Sequence, residues 1–589
     1  MVKEMMLNEQ QQSAIAEING ASLVISGAGT GKSTVLAAKI AAIQQHYCDD
    51  EVPGILALSF TKRSTSDLAA RIVDMRGVSV LNITQFFYRL LRANGYSSFK
   101  VITDEYARQA LVSLSIAAAG MNKKATDIDV LAALEKSCQT DDPAVKKVIA
   151  QYFDFMKQKR IMDFAAISIF MVELLRAVPA VAKKIRRQYP HVLIDEFQDL
   201  DPNQWLAIRL IWPKGSNITI FSDPRQSIYG FRGSKKNVTN DFKIFYKPAV
   251  FEMNLCYRCN PSILNVANTI HLQYSPLVPA KAVNDNKPVF TATANPEDEA
   301  ATIVKQIKDV LNNGARLSDI VILYRSLPAI PSVVEALLKA RIPFVKIGAD
   351  PNRWNHFPFK QILELLSFVS DPDIADWKTC CKYIGVDYEM LQQAKAIVKE
   401  EEGLRISDVL MNLPMLSSDA KAKLSFMTEL ASTKNIKATP LRDLIICIWD
   451  GIAKDYFNAE NDNILADIMN STEKFKTLAE LEEEISNIHK QYAAMARLIK
   501  NKTTDYIRIM SIHSSKGLEF DTVFLIGAAE GILPDLSHDN VDMDEEANLA
   551  YVAATRAKEN LFISYPRHNS KSKDEIKPSR YFARFINKK

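Results

Sequence analysis

The segment Ser26–Ser33, SGAGTGKS, places three glycines, a lysine and a terminal hydroxyl within eight residues. Gly27, Gly29 and Gly31 free the backbone to turn its N–H groups inward around a phosphate, Lys32 adds a positive charge, and Ser33 offers a hydroxyl to Mg²⁺. Glycine usually stands where Ser26 is, and serine is small enough to keep the turn. A second stretch, HVLIDEFQDLD from His191 to Asp201, ends an apolar run in paired acids. Asp195 would hold the metal and Glu196 would orient or deprotonate an attacking water, the two tasks phosphoryl transfer asks of carboxylates. A DE pair after an apolar run is, by itself, usually a strand end with solvated charges. Together with a phosphate loop it reads as the acidic half of a nucleotide hydrolase.

These groups need particular supports. The apolar run ASLVI before the loop reads as a strand and TVLAAKIAAI after it has helical spacing, while HVLI reads as a second strand. Parallel strands in one sheet would deliver both sets of groups to the same carboxyl edge. At 589 residues, 47% hydrophobic and 24% charged, the chain has an ordinary globular composition but exceeds one core, since single cores stop growing at roughly 250–300 residues. The net charge of +4 hides an asymmetry: residues 83–189 hold 17 Lys and Arg against 10 Asp and Glu, whereas 371–500 hold 16 against 22. A polyanion is expected to meet the first of these segments. The N-terminal MVKEMMLNEQQQ turns polar at once, and no uncharged apolar run reaches the ~20 residues of a membrane helix, so a cytoplasmic protein without membrane contact is expected. Seven scattered cysteines fit a reducing compartment. CYRC, Cys256–Cys259, is formally a CxxC, but no second ligand pair lies nearby and Cys380 and Cys381 are adjacent, so buried thiols are expected there rather than zinc.

DEFQD followed by SDPRQSIYGFRGS at 222–234 resembles the superfamily 1 DNA helicases of the UvrD/Rep/PcrA type. Further segments match that family in order: LNEQQ at 7–11, LSFTKRS at 58–64, Tyr257 and Arg258, IMSIHSSKGLEFDTVFLIGAAEGILP at 509–534, and EEANLAYVAATRAK at 545–558. The resemblance implies ATP as cofactor with Mg²⁺, held by Gly27, Ala28, Gly29, Thr30, Gly31, Lys32, Ser33 and Thr34. It implies that Gln11 bonds adenine, Tyr257 stacks on it and Glu519 meets the ribose. Arg258 and Arg556 would reach the γ-phosphate, with Gln226 sensing it, and Ser33 and Asp195 would hold the metal. The implied DNA track is Phe60, Thr61, Tyr229, Phe231, Arg232 and His513, aromatic rings on which bases stack at about 1–3 kcal/mol each whatever the sequence, with polar contacts between them. Four departures mark a divergent member. Thr34 stands where many relatives have an arginine on adenine, Asn82–Ile83–Thr84 replaces a Thr-x-His, Cys256 replaces an asparagine, and Ala547–Asn548 replaces an arginine pair.

The implied architecture is α/β, two RecA-like P-loop domains with parallel sheets, each carrying a mostly helical insertion. Residues 1–82 and 190–254 would form the first domain, with 83–189 inserted. Residues 255–370 and 501–589 would form the second, with the acidic 371–500 inserted, and ATP would sit between them. The basic insertion suits DNA phosphates, and the acidic one suits regulation or protein docking. The implied activity is an ATP-dependent single-stranded-DNA translocase and 3′–5′ helicase acting at duplex/single-strand junctions. The alternative is a DNA-stimulated ATPase subunit of a repair or phage-defence complex with its nuclease on another chain. Phe231→Ala is expected to slow movement along single-stranded DNA, followed by displacement of an end-bound protein, more than it slows DNA-free ATP hydrolysis; equal losses would place Phe231 outside the track.

Overall fold

The computed structural model describes residues 7–47, 52–72, 74–103, 105–120, 142–230, 233–234, 237–280, 285–326, 330–348, 359–371, 377–401, 403–434, 436–454, 465, 468–469, 471–500, 505–537, 541–568 and 575–586. Phe231 and Arg232 lie outside them. The chain divides into two compact units. One comprises Met1–Ala292, Ser511–Tyr565 and Lys577–Lys589, and the other Thr293–Met510 and Pro566–Ile576.

In the first unit, strands β1 (Ala21–Ser26), β2 (Ile55–Ser59), β3 (Val78–Asn82), β4 (His191–Ile194), β5 (Asn217–Ser222) and β6 (Ala249–Met253) form one six-stranded sheet in the order β3-β2-β4-β5-β1-β6. Every pairing in it is parallel. The central strands are near-continuous apolar runs such as LVI in β1 and VLI in β4, as a sheet covered on both faces requires. One face packs on α1 (Glu9–Ala16) and α2 (Lys32–His46) through Ala14, Val35, Leu36 and Ile40. The other face continues into a larger core that takes in the helices between residues 83 and 188. Among them Phe164–Ala177 is apolar on most of its surface, and Phe86, Phe170, Trp205, Trp212 and Phe242 fill the space between these helices and the sheet. No single described helix is long and apolar enough to cross a membrane.

The remaining strands are β7 (Val289–Thr293), β8 (Ile320–Tyr324), β9 (Phe344–Ile347), β10 (Ile507–Ser511), β11 (Phe520–Leu525) and β12 (Ala557–Pro566). Within the first unit, β11 and β12 pair in parallel around the intervening helix Met543–Thr555, a βαβ crossover. Within the second, β9 pairs with β10 in parallel, and helices from Phe359–Ser370 to Leu478–Lys500 enclose a separate core that includes Leu365, Phe368, Trp449 and Leu481. The class is α/β, with parallel strand pairings and long helical segments in each unit, as the sequence implied.

Trp212 shows how closely the first unit's two layers are joined. It is fully buried, stacks against Phe86 with ring centroids 6.3 Å apart, and donates its indole N–H to the Tyr189 carbonyl at 3.0 Å. Trp212→Ala should lower stability by about 3–5 kcal/mol, the usual cost of emptying a large aromatic site. Denaturant unfolding of the variant checks this, and a loss under 1 kcal/mol would mean the layers close around the gap.

Candidate active site

Because the first sheet is parallel, its strands all end on one edge, and the functional segments hang from those ends. β1 runs into the phosphate loop, and Gly31 caps α2 in the left-handed region at φ +85°. Gly29 is also left-handed, at φ +73°. A Cβ there would fall 2.6 Å from Arg258 Cβ and 2.8 Å from Cys256 Sγ, so only glycine allows that approach. Tyr257 N–H donates to the Gly29 carbonyl at 2.9 Å, and Ala28 N–H approaches the buried Tyr551 hydroxyl at 3.4 Å. The loop is therefore held from several sides.

β4 ends at Ile194, and the next two residues meet the loop lysine. Lys32 Nζ lies 3.0 Å from Asp195 Oδ1 and is bonded to Glu196. Glu196 is in the left-handed region at φ +51°, an unfavourable setting for a residue with a Cβ, which turns its carboxylate back towards the loop. Glu196 N–H donates to Asp195 Oδ1 at 2.9 Å, and Gln198 Nε2 donates to Glu196 Oε2 at 2.6 Å. Asp195 is buried and Lys32 and Glu196 are half-buried. Burial works against the Lys32 ammonium, but the two carboxylates outweigh it and raise its affinity for the proton. Burial likewise opposes ionisation of Glu196, yet Lys32 and Lys516 hold it down at about 2. For Asp195 burial dominates and its carboxyl is pushed up, with Lys32 pulling the other way.

Lys516 belongs to the same cluster and was not among the residues singled out from the sequence, although it lies inside the quoted HSSKGLEF. Its ammonium is 2.6 Å from Asp199 Oδ2 and 3.7 Å from Glu196 Oε2, bonds the Gln226 carbonyl, and sits 5.2 Å from the centre of the Tyr229 ring. Asp199, in DEFQD, is its partner and was missed for the same reason. A motif marks several charged residues at once, and only the fold says which of them meet.

β5 leads into the turn Pro224–Gln226. Gln226 Nε2 donates to Asp223 Oδ2 at 2.8 Å, and its Oε1 accepts from Arg556 Nη2 at 3.2 Å. Arg556 closes the helix Met543–Thr555 and is almost wholly buried. It donates to the carbonyls of Val552 and Leu518, both at 3.0 Å, and among the described residues no carboxylate pairs with it. Burial, with Arg258 as a nearby like charge, lowers its pKa to about 10. A guanidinium desolvated with neutral partners is a standing attraction for an anion. Arg258 is bound to Glu519 Oε2 at 2.8 Å and to the Thr555 carbonyl at 3.2 Å. Glu519 also meets Lys558 at 3.3 Å, and its pKa is lowered because these two cations outweigh its burial.

Gln11 is buried and bonds the Thr30 carbonyl through Nε2 at 3.0 Å. Tyr257 is 39% exposed, and its hydroxyl accepts from Asn8 Nδ2 at 2.8 Å. Ser33 and Thr34 begin α2. The nucleotide set chosen from the sequence thus converges within the first unit.

Of the residues named for DNA, Phe60 and Tyr229 meet directly, with centroids 5.4 Å apart and planes 26° from parallel. Thr61 is occupied in capping the helix Lys62–Arg71, where its Oγ1 accepts from Ser64 N–H at 3.0 Å. His513 opens the turn His513–Ser515 after β10. The departures have structural partners as well. Asn82 caps the helix Ile83–Ala93 and bonds the Phe60 carbonyl, and Asn548 donates to the carbonyls of Pro224 and Ser227 at 3.2 and 2.8 Å. Cys256 and Cys259 are buried free thiols, and no group of three or more metal-ligating side chains occurs among the described residues.

With this geometry in hand, comparison with known proteins is decisive. The family model of the UvrD/REP helicase N-terminal domain matches residues 7–247, and that of the UvrD-like helicase C-terminal domain matches residues 250–568. The chain belongs to the UvrD/REP helicase family. It is similar to YjcD of Bacillus subtilis (strain 168), 26% identical over 95% of this chain and 79% of that one. It is also similar to the probable DNA helicase II homolog of Mycoplasma capricolum, 25% identical over 98% of this chain and 87% of the relative. The ATP-dependent DNA helicase PcrA of Staphylococcus epidermidis is 24% identical, over 96% and 83%. As a member of this family the chain is an ATP-driven DNA helicase, an enzyme acting on DNA.

The buried cluster gives a pH signature. Glu196, held at about 2 against an ordinary 4.5, contributes its full stability above about pH 4.5 and loses it as pH falls towards 2. Lys32→Ala removes the closest cation and lets that carboxyl titrate higher, so acid unfolding followed by tryptophan fluorescence should begin at higher pH in the variant. An unchanged acid limb would mean that Lys32 does not hold Glu196 ionised.

Proposed function

We propose that this helicase is a single-stranded-DNA translocase that moves 3′ to 5′ and separates duplexes at single-strand junctions, driven by Mg²⁺-dependent ATP hydrolysis. In this reading residues 1–82 and 190–254 form the first motor domain with insertion 83–189, and residues 255–370 and 501–589 form the second with insertion 371–500. One observation carries the coupling of ATP to DNA. Gln226, bonded to Arg556 at 3.2 Å, stands three residues before Tyr229, whose ring stacks on Phe60. A group placed to sense the γ-phosphate and a ring placed to stack on a base thus share one short turn, and Lys516 bonds the Gln226 carbonyl while covering Tyr229.

Lys32 bridges Asp195 and Glu196, and a triphosphate on the loop would compete for it as a stronger anion. Moving Lys32 towards the phosphates releases Asp195 to offer its oxygens to a cation. Asp195 and the Ser33 hydroxyl are a hard oxygen pair, which suits Mg²⁺, an ion that keeps several waters and takes one or two protein carboxylates beside substrate phosphates. Bound there, the metal would neutralise charge developing on the phosphoryl oxygens. Glu196, held by Gln198 and ionised at neutral pH, is placed to orient water and accept its proton. Arg258 and Arg556 would offset transition-state charge, Gln11 and Tyr257 would bind adenine, and Glu519 the ribose. Phe60, Thr61, Tyr229, Phe231, Arg232 and His513 would line the DNA track.

The deciding experiment measures ATP hydrolysis with and without single-stranded DNA at low and high salt, then unwinding of duplexes bearing a 3′ or a 5′ tail. Expected are strong stimulation by DNA that salt removes, unwinding of the 3′-tailed duplex only, and a loss of hydrolysis on the order of a thousandfold in Arg556→Ala. Unwinding from a 5′ tail would reverse the polarity. Hydrolysis indifferent to DNA would sink the translocase reading.

A further inference from the structure

The CYRC segment sets two thiols around two residues of the proposed nucleotide site. Cys256 and Cys259 are both buried and free, with Tyr257 and Arg258 between them. Cys256 Sγ lies against the phosphate loop, 2.8 Å from where a Cβ on Gly29 would stand, and Arg258 Cβ lies 2.6 Å from the same point. Cys259 Sγ approaches the Thr555 carbonyl at 3.6 Å, the carbonyl that also accepts from Arg258 Nη1 at 3.2 Å and belongs to the residue before Arg556. The neighbouring Cys259 thiol, nearby backbone N–H groups and Arg258 lower the Cys256 thiol to about 6, against its burial, as in other CxxC pairs whose first sulfur attacks disulfides.

We propose that Cys256 and Cys259 form a reversible dithiol/disulfide site that switches ATP hydrolysis off when oxidised, with a small organic disulfide as the oxidant. The proposal rests on the nucleotide site assigned above. Cys256 Sγ attacks one sulfur of the oxidant, forming a mixed disulfide and expelling a thiolate that takes up the Cys256 proton. Cys259 Sγ then attacks Cys256 Sγ, expelling the second thiolate, which takes up the Cys259 proton. The protein loses two hydrogens and the oxidant becomes two thiols. Burial confines the exchange to moments when the segment opens locally.

The consequence is mechanical. A disulfide fixes the sulfurs about 2.05 Å apart and tightens the loop that carries Tyr257 and Arg258. It also removes the S–H that faces the Thr555 carbonyl beside Arg556. Tyr257 and Arg258 are thus displaced, and the carbonyl before Arg556 loses one of its donors. Misplacement of a catalytic group by about 1 Å costs on the order of 100-fold in rate.

The test oxidises the full chain with bis(hydroxyethyl) disulfide and reads three quantities: the mass of the peptide containing residues 256 and 259, the rate of DNA-stimulated ATP hydrolysis, and the affinity for a fluorescent ATP analogue. Expected are loss of two hydrogens from that peptide, a fall in hydrolysis on the order of 100-fold with weakened nucleotide binding, and full recovery in dithiothreitol. The double variant Cys256→Ser, Cys259→Ser should keep its hydrolysis in the oxidant, which separates this site from the exposed Cys447. No disulfide between these two residues, or a disulfide with rate and affinity unchanged, overturns the switch. If the reduced protein hydrolyses no ATP, the catalytic assignment fails, and affinity together with mass still decides the switch.

Discussion

The structure turns on the burial of opposite charges at the carboxyl edge of one parallel sheet. Lys32, Asp195, Glu196, Asp199 and Lys516 come from the loop after β1, the segment after β4 and the turn after β10, and each would be costly to bury alone. Together they satisfy one another, but a cluster of ions is worth little as a source of stability compared with an apolar core of the same size. Its presence where the sheet could have carried leucines argues for a function in which charges change partners. The first sheet supplies the rigid frame, with Trp212, Phe86 and Phe170 locking its helical layer in place. The loops at its edge supply the exchangeable contacts.

The helix Met543–Thr555 extends this logic. Near its start Glu545 accepts from Gly230 N–H at 3.0 Å, in its middle Asn548 holds the carbonyls of Pro224 and Ser227, and Arg556 at its end meets Gln226. One rigid element thus touches the turn after β5 at successive points. Asn548, a departure in the sequence, still has a task here: a short amide bonds two carbonyls that a longer charged side chain would overreach.

The CYRC pair adds a chemical input to the same frame. Its sulfurs touch the phosphate loop on one side and the carbonyl before Arg556 on the other, so a change at sulfur bears on the residues proposed to grip the nucleotide from both ends.

Much of this was legible in the residues. The reading of Ser26–Ser33 as a phosphate loop follows from local geometry, because three glycines, a lysine and a hydroxyl act within one turn and need only a strand before and a helix after. The apolar runs before the loop and before the acid pair announced β1 and β4 as strands, and the ordered motifs placed the chain in its family. Other features were set only by folding. Which cation neutralises which carboxylate depends on segments more than 300 residues apart, as for Lys516 with Asp199. That Thr61 serves as a helix cap, that no carboxylate among the described residues pairs with the buried Arg556, and that Cys256 lies on Gly29 are likewise facts of tertiary packing. Sequence determines chemistry that acts across one turn of chain, because covalent spacing fixes those distances. Partnerships across the sheet edge were decided by the fold, because strand order and loop path, rather than spacing along the chain, set which charges share a buried volume.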